Sequence, residues 1–248
     1  MNAMSDYSDL LTELSNHTRI HILFLLKNES KTLTNIAESL NDISKAEVSR
    51  HLSRLLKRGF IQKEEPSGRK YEISPFGRIF ILMFNPIDFI FEHNKYFKRH
   101  SISDLPEKLI REIDSLKNSK FITGAGKVMH KIKSFNNSPA QEKSVMISTA
   151  FPFETESVKE AYYLLNKEVL KNEERQKQNH PDTKYHIRIL DSIPIAIAFN
   201  NLGEGMISFP RIKEKKPDYS ETIVITDKKG LEYLKEIWNF FWDKAETP

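Results

Sequence analysis

Apolar residues recur at helical spacing through the first third of the chain. Ser5 to Leu14 reads as a first helix, and Thr18 to Lys27 as a second with Ile20, Leu23, Phe24 and Leu26 supplying apolar surface. After a break at Lys27-Asn28-Glu29-Ser30 comes a short amphipathic helix from Leu33 to Leu40, a three-residue turn, Asn41-Asp42-Ile43, and a helix from Ser44 to Lys57 that Gly59 ends. Two β-like runs, Phe60 to Glu65 and Arg69 to Ile73, are joined by Pro66-Ser67-Gly68. Next, Ser74-Pro75 opens a helix with Ser as N-cap and Pro at the first helical position. That helix is apolar around most of its circumference, from Phe76 through Ile79, Phe80 and Phe84 to Phe91, and Pro86 should break or kink it.

From His100-Ser101-Ile102-Ser103-Asp104 onward the pattern changes to alternating elements. A helix is expected from Pro106 to about Leu116, a strand over Phe121-Ile122-Thr123, a helix from Lys127 to Phe135 and a strand from Ser144 to Thr149. A long helix should follow from Ser157 to about Lys177, opened by a Ser157/Glu160 capping box. Strands are expected over Tyr185–Leu190, Ile193–Phe199, Gly205–Phe209 and Thr222–Asp227. The tail, Lys228 to Lys244, reads as an amphipathic helix with Leu231, Leu234, Trp238, Phe241 and Trp242 inward. The fold class expected is an α+β winged helix-turn-helix domain over residues 5–75, an aromatic linker or dimerisation helix over 76–100, and an α/β effector or assembly domain with a mixed, partly parallel sheet over 101–247.

The helix from Ser44 to Lys57 carries most of the functional signal. Ser44 and Glu47 form an S-x-x-E capping box. Val48, Leu52, Leu55 and Leu56 make one apolar face, while Ala46, Ser49, Arg50, Ser53, Arg54 and Lys57 fall on the opposite one. That second face is small, hydroxylated and cationic. Small residues let a backbone sit close to a DNA groove, and Arg can fork onto guanine O6 and N7. Taken alone, such a face also suits a solvated surface helix. The preceding helix, the tight turn and the Gly-tipped hairpin favour DNA.

The run Leu14-Ser15-Asn16-His17-Thr18-Arg19-Ile20-His21-Ile22-Leu23 resembles the opening helix pair of ArsR-type winged-helix repressors. LTNIAESL, SKAEVSRHLSRLLKRGFI and GRKYEISPFG resemble the later elements of that family in the same order. The resemblance covers about the first third of the chain. It implies that the second helix of the pair enters the major groove and that the wing touches backbone or minor groove. Arg50 and Arg54 are then candidate base readers. Ser49, Ser53 and Lys57 are candidate phosphate contacts, with Arg69 and Lys70 on the wing. Thr34, Ser44, Lys45 and Ala46 around the helix start, and Ser67 and Gly68 at the wing tip, complete the expected DNA surface. Family members dimerise through terminal helices, which marks Phe80, Phe84 and Phe91 as candidate dimer contacts; packing of that helix against the rest of its own chain is the other reading. Residues Phe97 to Ala245 resemble the C-terminal domain of archaeal regulators of the methanogenesis-regulator type, similar in fold to phospholipase-D-like and TrmB-type effector domains. Those motifs are scattered apolar and acidic positions.

Composition narrows the field. The 248 residues are 39% hydrophobic, enough for a sizeable core, and the net charge of +4 permits nucleic-acid binding without demanding it. With no cysteine, disulfides and thiolate metal sites are excluded, including the thiolate site that many ArsR-type repressors carry on the third helix. The N-terminus lacks a basic segment followed by an apolar one, and the run Ile79 to Phe91 is too short and too interrupted by Asn85, Pro86 and Asp88 to span a bilayer. A cytoplasmic protein without cofactor or metal is expected, with double-stranded DNA, a second copy of itself and a small-molecule effector as partners, and no membrane.

Catalytic patterns are incomplete. The only H-x-K, His93-Asn94-Lys95, has His100 where the phospholipase-D motif needs Asp. Gly124-Ala125-Gly126-Lys127 lacks the flanking residues of a phosphate loop and reads as a tight strand-to-helix turn. His17 and His21, at i and i+4, have no evident third metal ligand. Phe151, Phe153, Arg188 and Asp191 could line an effector pocket at strand ends. These observations favour a dimeric DNA-binding transcriptional regulator, a repressor by resemblance, that senses a ligand or assembles through its C-terminal domain. The rival is an enzyme acting on a phosphodiester or nucleotide, with a DNA-binding appendage.

Overall fold

The computed structural model describes residues 3–136, 144–149, 158–166, 182–214 and 216–248. The chain divides into two units, Met1–Ile87 and Asp88–Pro248, so that the division falls inside the expected linker helix.

The first unit runs α1 (Ala3–Leu14), α2 (His17–Leu25), β1 (Lys31–Thr32), α3 (Leu33–Ser39), α4 (Lys45–Lys57), β2 (Ile61–Lys63), β3 (Lys70–Ile73) and the start of α5 (Pro75–Glu92). Side-chain oxygens of Asn16, Thr32 and Ser44 each accept the backbone N–H three residues on, and so begin α2, α3 and α4. Ile22, Leu23, Ile36, Val48, Leu52 and Phe60 are buried together. β2 and β3 form the wing hairpin, and β1 adds antiparallel to β3, giving the order β1-β3-β2. At two residues, β1 is too short for an alternation signal. Gly59 and Gly68 adopt φ of +75° and +62°, the left-handed conformation needed to end α4 and to turn the wing. Ser74 caps α5 as expected, its hydroxyl accepting from Gly77 N at 2.9 Å. The helix does not break at Pro86; it continues to Glu92.

In the second unit, α6 (Asn94–Phe97), α7 (Glu107–Arg111) and a 3-10 turn (Ile113–Leu116) precede β4 (Lys120–Thr123) and α8 (Ala125–Asn136). Then come β5 (Ser144–Thr149), β6 (Glu160–Leu165), β7 (Lys184–Ile189), β8 (Ala196–Asn200), β9 (Gly205–Ser208), β10 (Glu221–Ile225) and α9 (Lys228–Trp242). The seven strands lie in the order β4-β10-β9-β8-β5-β6-β7. β5, β6 and β7 are parallel neighbours and the other pairings are antiparallel, so the sheet is mixed as expected. Leu109, Leu116, Leu234, Trp238 and Phe241 belong to the core on one sheet face, with Ile197, Ile207 and Ile223. Val128, Ile132 and Phe135 of α8 pack on the other face with Ile147, Tyr163 and Met206.

Two expected helices differ. The helix from Pro106 to Leu116 is interrupted after Arg111 and tightens into the 3-10 turn. The long helix from Ser157 is overturned for its described part: Glu160–Leu165 is strand β6. Flanked by β5 and β7, β6 sends Ala161, Tyr163 and Leu165 to the α8 side and Leu164 to the other, all buried. A strand buried on both faces is a continuous apolar run, and so short a run has no period to distinguish it from a helix. Ser157 and residues 167–177 of that expected helix lie outside the described residues.

Candidate nucleic-acid interface

The α4 face expected to meet DNA is open along most of its length. Val48, Leu52 and Leu55 are buried, which turns Lys45, Ala46, Arg50, Ser53 and Lys57 outward; Ser49 is half-buried. Among the described residues, Arg50, Lys45 and Lys57 make no side-chain hydrogen bond or ion pair. Ser53 Oγ donates to Ser49 O at 2.9 Å. Thr34 is exposed on α3, while the hydroxyl of Ser44 caps α4.

Arg54 is placed differently. Its Nε and Nη2 fork onto the Glu13 carboxylate of α1 at 3.1 and 2.7 Å. Glu13 is buried and is held by three arginines. Buried Arg19 lies 3.2 Å from one carboxylate oxygen and also donates to the carbonyls of Glu13 and Thr12, satisfying the end of α1. Arg58 is 3.9 Å away. The hydrogen bonds from Arg54, opposed by burial and reinforced by the charge of Arg19, hold the Glu13 carboxyl below the usual range. Against the same network sits His51, whose Nδ1 is buried without a partner. Burial, then the Arg19 charge, pushes its imidazole below the ordinary value. Neither Glu13 nor Arg19 stood out in the sequence, because the pairing joins α1 to α2 and to α4 across 41 residues.

On the wing, Ser67, Gly68, Arg69 and Lys70 are exposed. Gly68 N donates to Glu64 O at 2.8 Å, closing the tip, and Lys70 Nζ lies 3.6 Å from Glu64. The candidate dimer residues split by direction. Phe80 and Phe84 are half-buried against the core of the first unit, with the Phe80 ring 5.1 Å from that of Phe60, while Phe91 is 74% exposed. Within the first unit, the outward stripe of α5 consists of Phe76, Ile79, Leu82, Met83 and Ile87.

The residues chosen for an effector pocket do not come together. Phe151 and Phe153 lie outside the described residues. Arg188 lies over the Trp242 ring, 4.7 Å from its centroid, and donates to Trp242 O at 2.7 Å; Asp191 is exposed. A cavity opens instead between α8 and the sheet, lined by Ile132, Phe135, Met206, Ser208 and Thr222 among others. Elsewhere in the unit, His100, Asp218 and Glu221 are buried with donor atoms within 4.8 Å of one another, a set that could ligate a metal ion. Each carboxylate already accepts from an arginine, Asp218 from Arg211 at 2.7 Å and Glu221 from Arg99 at 3.0 Å, so the charges are compensated within the chain. Burial acts to raise the Asp218 carboxyl, but hydrogen bonds from Ser220, Arg211 and His100 together hold it well below the usual range. His93 is stacked on Phe121 at 4.1 Å, and His17 and His21 are exposed with rings 5.8 Å apart.

The profile described as "Bacterial regulatory protein, arsR family" matches residues 16–63. Those residues form an arsR-family helix-turn-helix. The match spans α2 through β2 and so includes all of α4, the helix that carries Arg50. Among solved structures, the chain is similar to TrmBL2, described as an archaeal chromatin protein with a novel mode of DNA binding (18% identity, 93% of this chain and 94% of that one, TM-score 0.40). It is also similar to reduced HlyU from Vibrio cholerae N16961 (20% identity, 35% of this chain and 97% of that one, TM-score 0.30). A third is the IclR protein of Thermotoga maritima (15% identity, 91% and 96%, TM-score 0.25). No curated protein matches. No helix among the described residues is long and apolar enough to cross a membrane.

Proposed function

We propose that the chain is a cytoplasmic transcriptional regulator that binds double-stranded DNA as a homodimer and answers to a ligand through its second unit. One observation carries the DNA reading: the arsR-family helix-turn-helix presents Arg50, Lys45 and Lys57, without side-chain partners among the described residues, on the exposed face of α4, beside a wing that carries Arg69 and Lys70. An arginine held away from the protein's own carboxylates is available to guanine, and lysines and wing cations to phosphate. Arg54 is assigned another role. Its fork onto Glu13 fixes α4 against α1, so base reading falls to Arg50 and Arg54 sets the angle at which α4 is offered. Ser49 and Ser53 flank Arg50 at the phosphates, while Thr34, Ser44 and Ala46 line the approach to the helix start.

The dimer reading is supported by the outward stripe of α5, where Ile79, Leu82 and Met83 are each more than half exposed. Apolar side chains aligned on one helix face are covered at least cost by the same face of a second copy, which closes with two-fold symmetry. Phe80 and Phe84 support the helix from within, and Phe91 in the second unit is a further dimer contact. Repression is the mode that the ArsR-type resemblance implies. A binding role rather than catalysis suits a chain whose H-x-K histidine is packed against Phe121. The test is selection of duplexes from a random library by the full chain, followed by footprinting. Enrichment of a two-fold symmetric site with half-sites about 10 base pairs apart, or a multiple of that, is expected; no enrichment over the starting library contradicts the reading.

A further inference from the structure

Alternate residues of β8, β9 and β10 face α8. On this face the register sets Ala196 opposite Ser208, and the Ile223–Ile207 pair places Thr222 opposite Ser208 on its other side. One row across three strands is therefore alanine, serine and threonine, and the next contains Ala198 opposite Met206. Small side chains here leave a floor that Ile132 and Phe135 of α8 overhang without filling. The result is a cleft that opens to solvent at the α8 face of the sheet.

The lining chemistry is selective. No Lys, Arg, His, Asp or Glu side chain lines the cleft among the described residues. Thr222 Oγ1 donates to Ile207 O at 3.1 Å, which leaves that oxygen as an acceptor. Ser208 is 5% exposed, lines the cleft, and has no side-chain hydrogen-bond partner among the described residues. A ligand group in the cleft can bond to this hydroxyl without displacing a partner within the protein. An ion would have to leave water with no counter-charge to receive it.

We infer that this cleft binds a small, uncharged, largely apolar molecule through one hydrogen bond to Ser208, and that it is the effector site of the sensing role proposed above, on which this inference rests. The site lies on the α8 face, whereas Arg188 is held at Trp242.

The full chain with isotope-labelled Ile and Met methyl groups would be titrated with indole and, in parallel, with indole-3-carboxylate. Indole should shift the methyl resonances of Ile132, Ile147 and Met206 to saturation, and the carboxylate should bind at least tenfold more weakly. Ser208→Ala should weaken indole by roughly fivefold, the equivalent of one ordinary hydrogen bond, with an unchanged melting temperature. Ala198→Leu should fill the floor and abolish the shifts; should that variant fold poorly, Ser208→Ala alone decides. Unmoved methyl groups with indole, equal binding of the carboxylate, or unchanged affinity in Ser208→Ala would overturn the site. DNA affinity with and without saturating indole is a separate readout. No change there contradicts the sensing role while leaving the site standing.

Discussion

Arg50 and Arg54 lie one turn apart on α4, and their surroundings give them different work. Arg54→Ala removes two charge-assisted hydrogen bonds from a buried carboxylate. With the arginine half exposed, solvent screening moderates the loss, but the buried carboxylate is left with fewer donors. Calorimetry should show a melting temperature lower by several degrees. Arg50→Ala, which breaks no side-chain bond among the described residues, should leave that temperature within about a degree. Equal thermal effects of the two changes would contradict the division. The Glu13 network also has an acid signature through His51. Its folded value lies below the unfolded one near 6.5, so the unfolded chain takes the proton first, and stability falls as the pH drops below about 6.5. His51→Gln should shrink the difference in melting temperature between pH 7.5 and pH 5.5. The sequence offered the outward direction of Arg50 through the apolar spacing of α4. It could not offer the capture of Arg54, because nothing local links position 54 to position 13.

At the scale of elements, the join between the wing and α5 is unusually close. A Cβ built on Gly77 would lie 2.0 Å from the Phe60 carbonyl oxygen, a backbone atom that cannot swing aside. Gly77→Ala should therefore destabilise the first unit by about 1–3 kcal/mol despite the better helix propensity of alanine, and denaturant unfolding should show it. Further along α5, Ile79→Glu with Met83→Glu should convert the dimer to monomer in light scattering without lowering helix content, since both side chains already face outward. A wild-type monomer at micromolar concentration would contradict the proposed dimer. Amphipathic helices with caps were legible from sequence: α4 and α9 lie within a residue or two of the expected limits at one end or both. β6 was not, because burial on both faces erases the alternation that marks a strand. Phe80 and Phe84 were expected at a dimer contact; they pack instead against the core of their own unit, because the side of α5 they occupy depends on the position of Phe60, which only the folded unit provides.

For the molecule as a whole, an arsR-family helix-turn-helix is joined in sequence to a unit with a mixed seven-stranded sheet. The first was readable because its signals are local: the capping box at Ser44, glycines that end α4 and turn the wing, and a cationic face opposite an apolar one. The cleft in the second was not, since its floor comes from strands brought side by side by the sheet order. The central claim is that α4 reads bases through Arg50 while the wing contributes charge. It is tested most directly by titrating wild type, Arg50→Ala and Arg69→Ala against a selected operator and a random duplex at several salt concentrations. Arg50→Ala should lose about 1–3 kcal/mol on the operator and relax preference at one base position. Arg69→Ala should weaken both duplexes alike and reduce the salt slope by about one unit. Operator affinity unchanged in both variants would contradict the account.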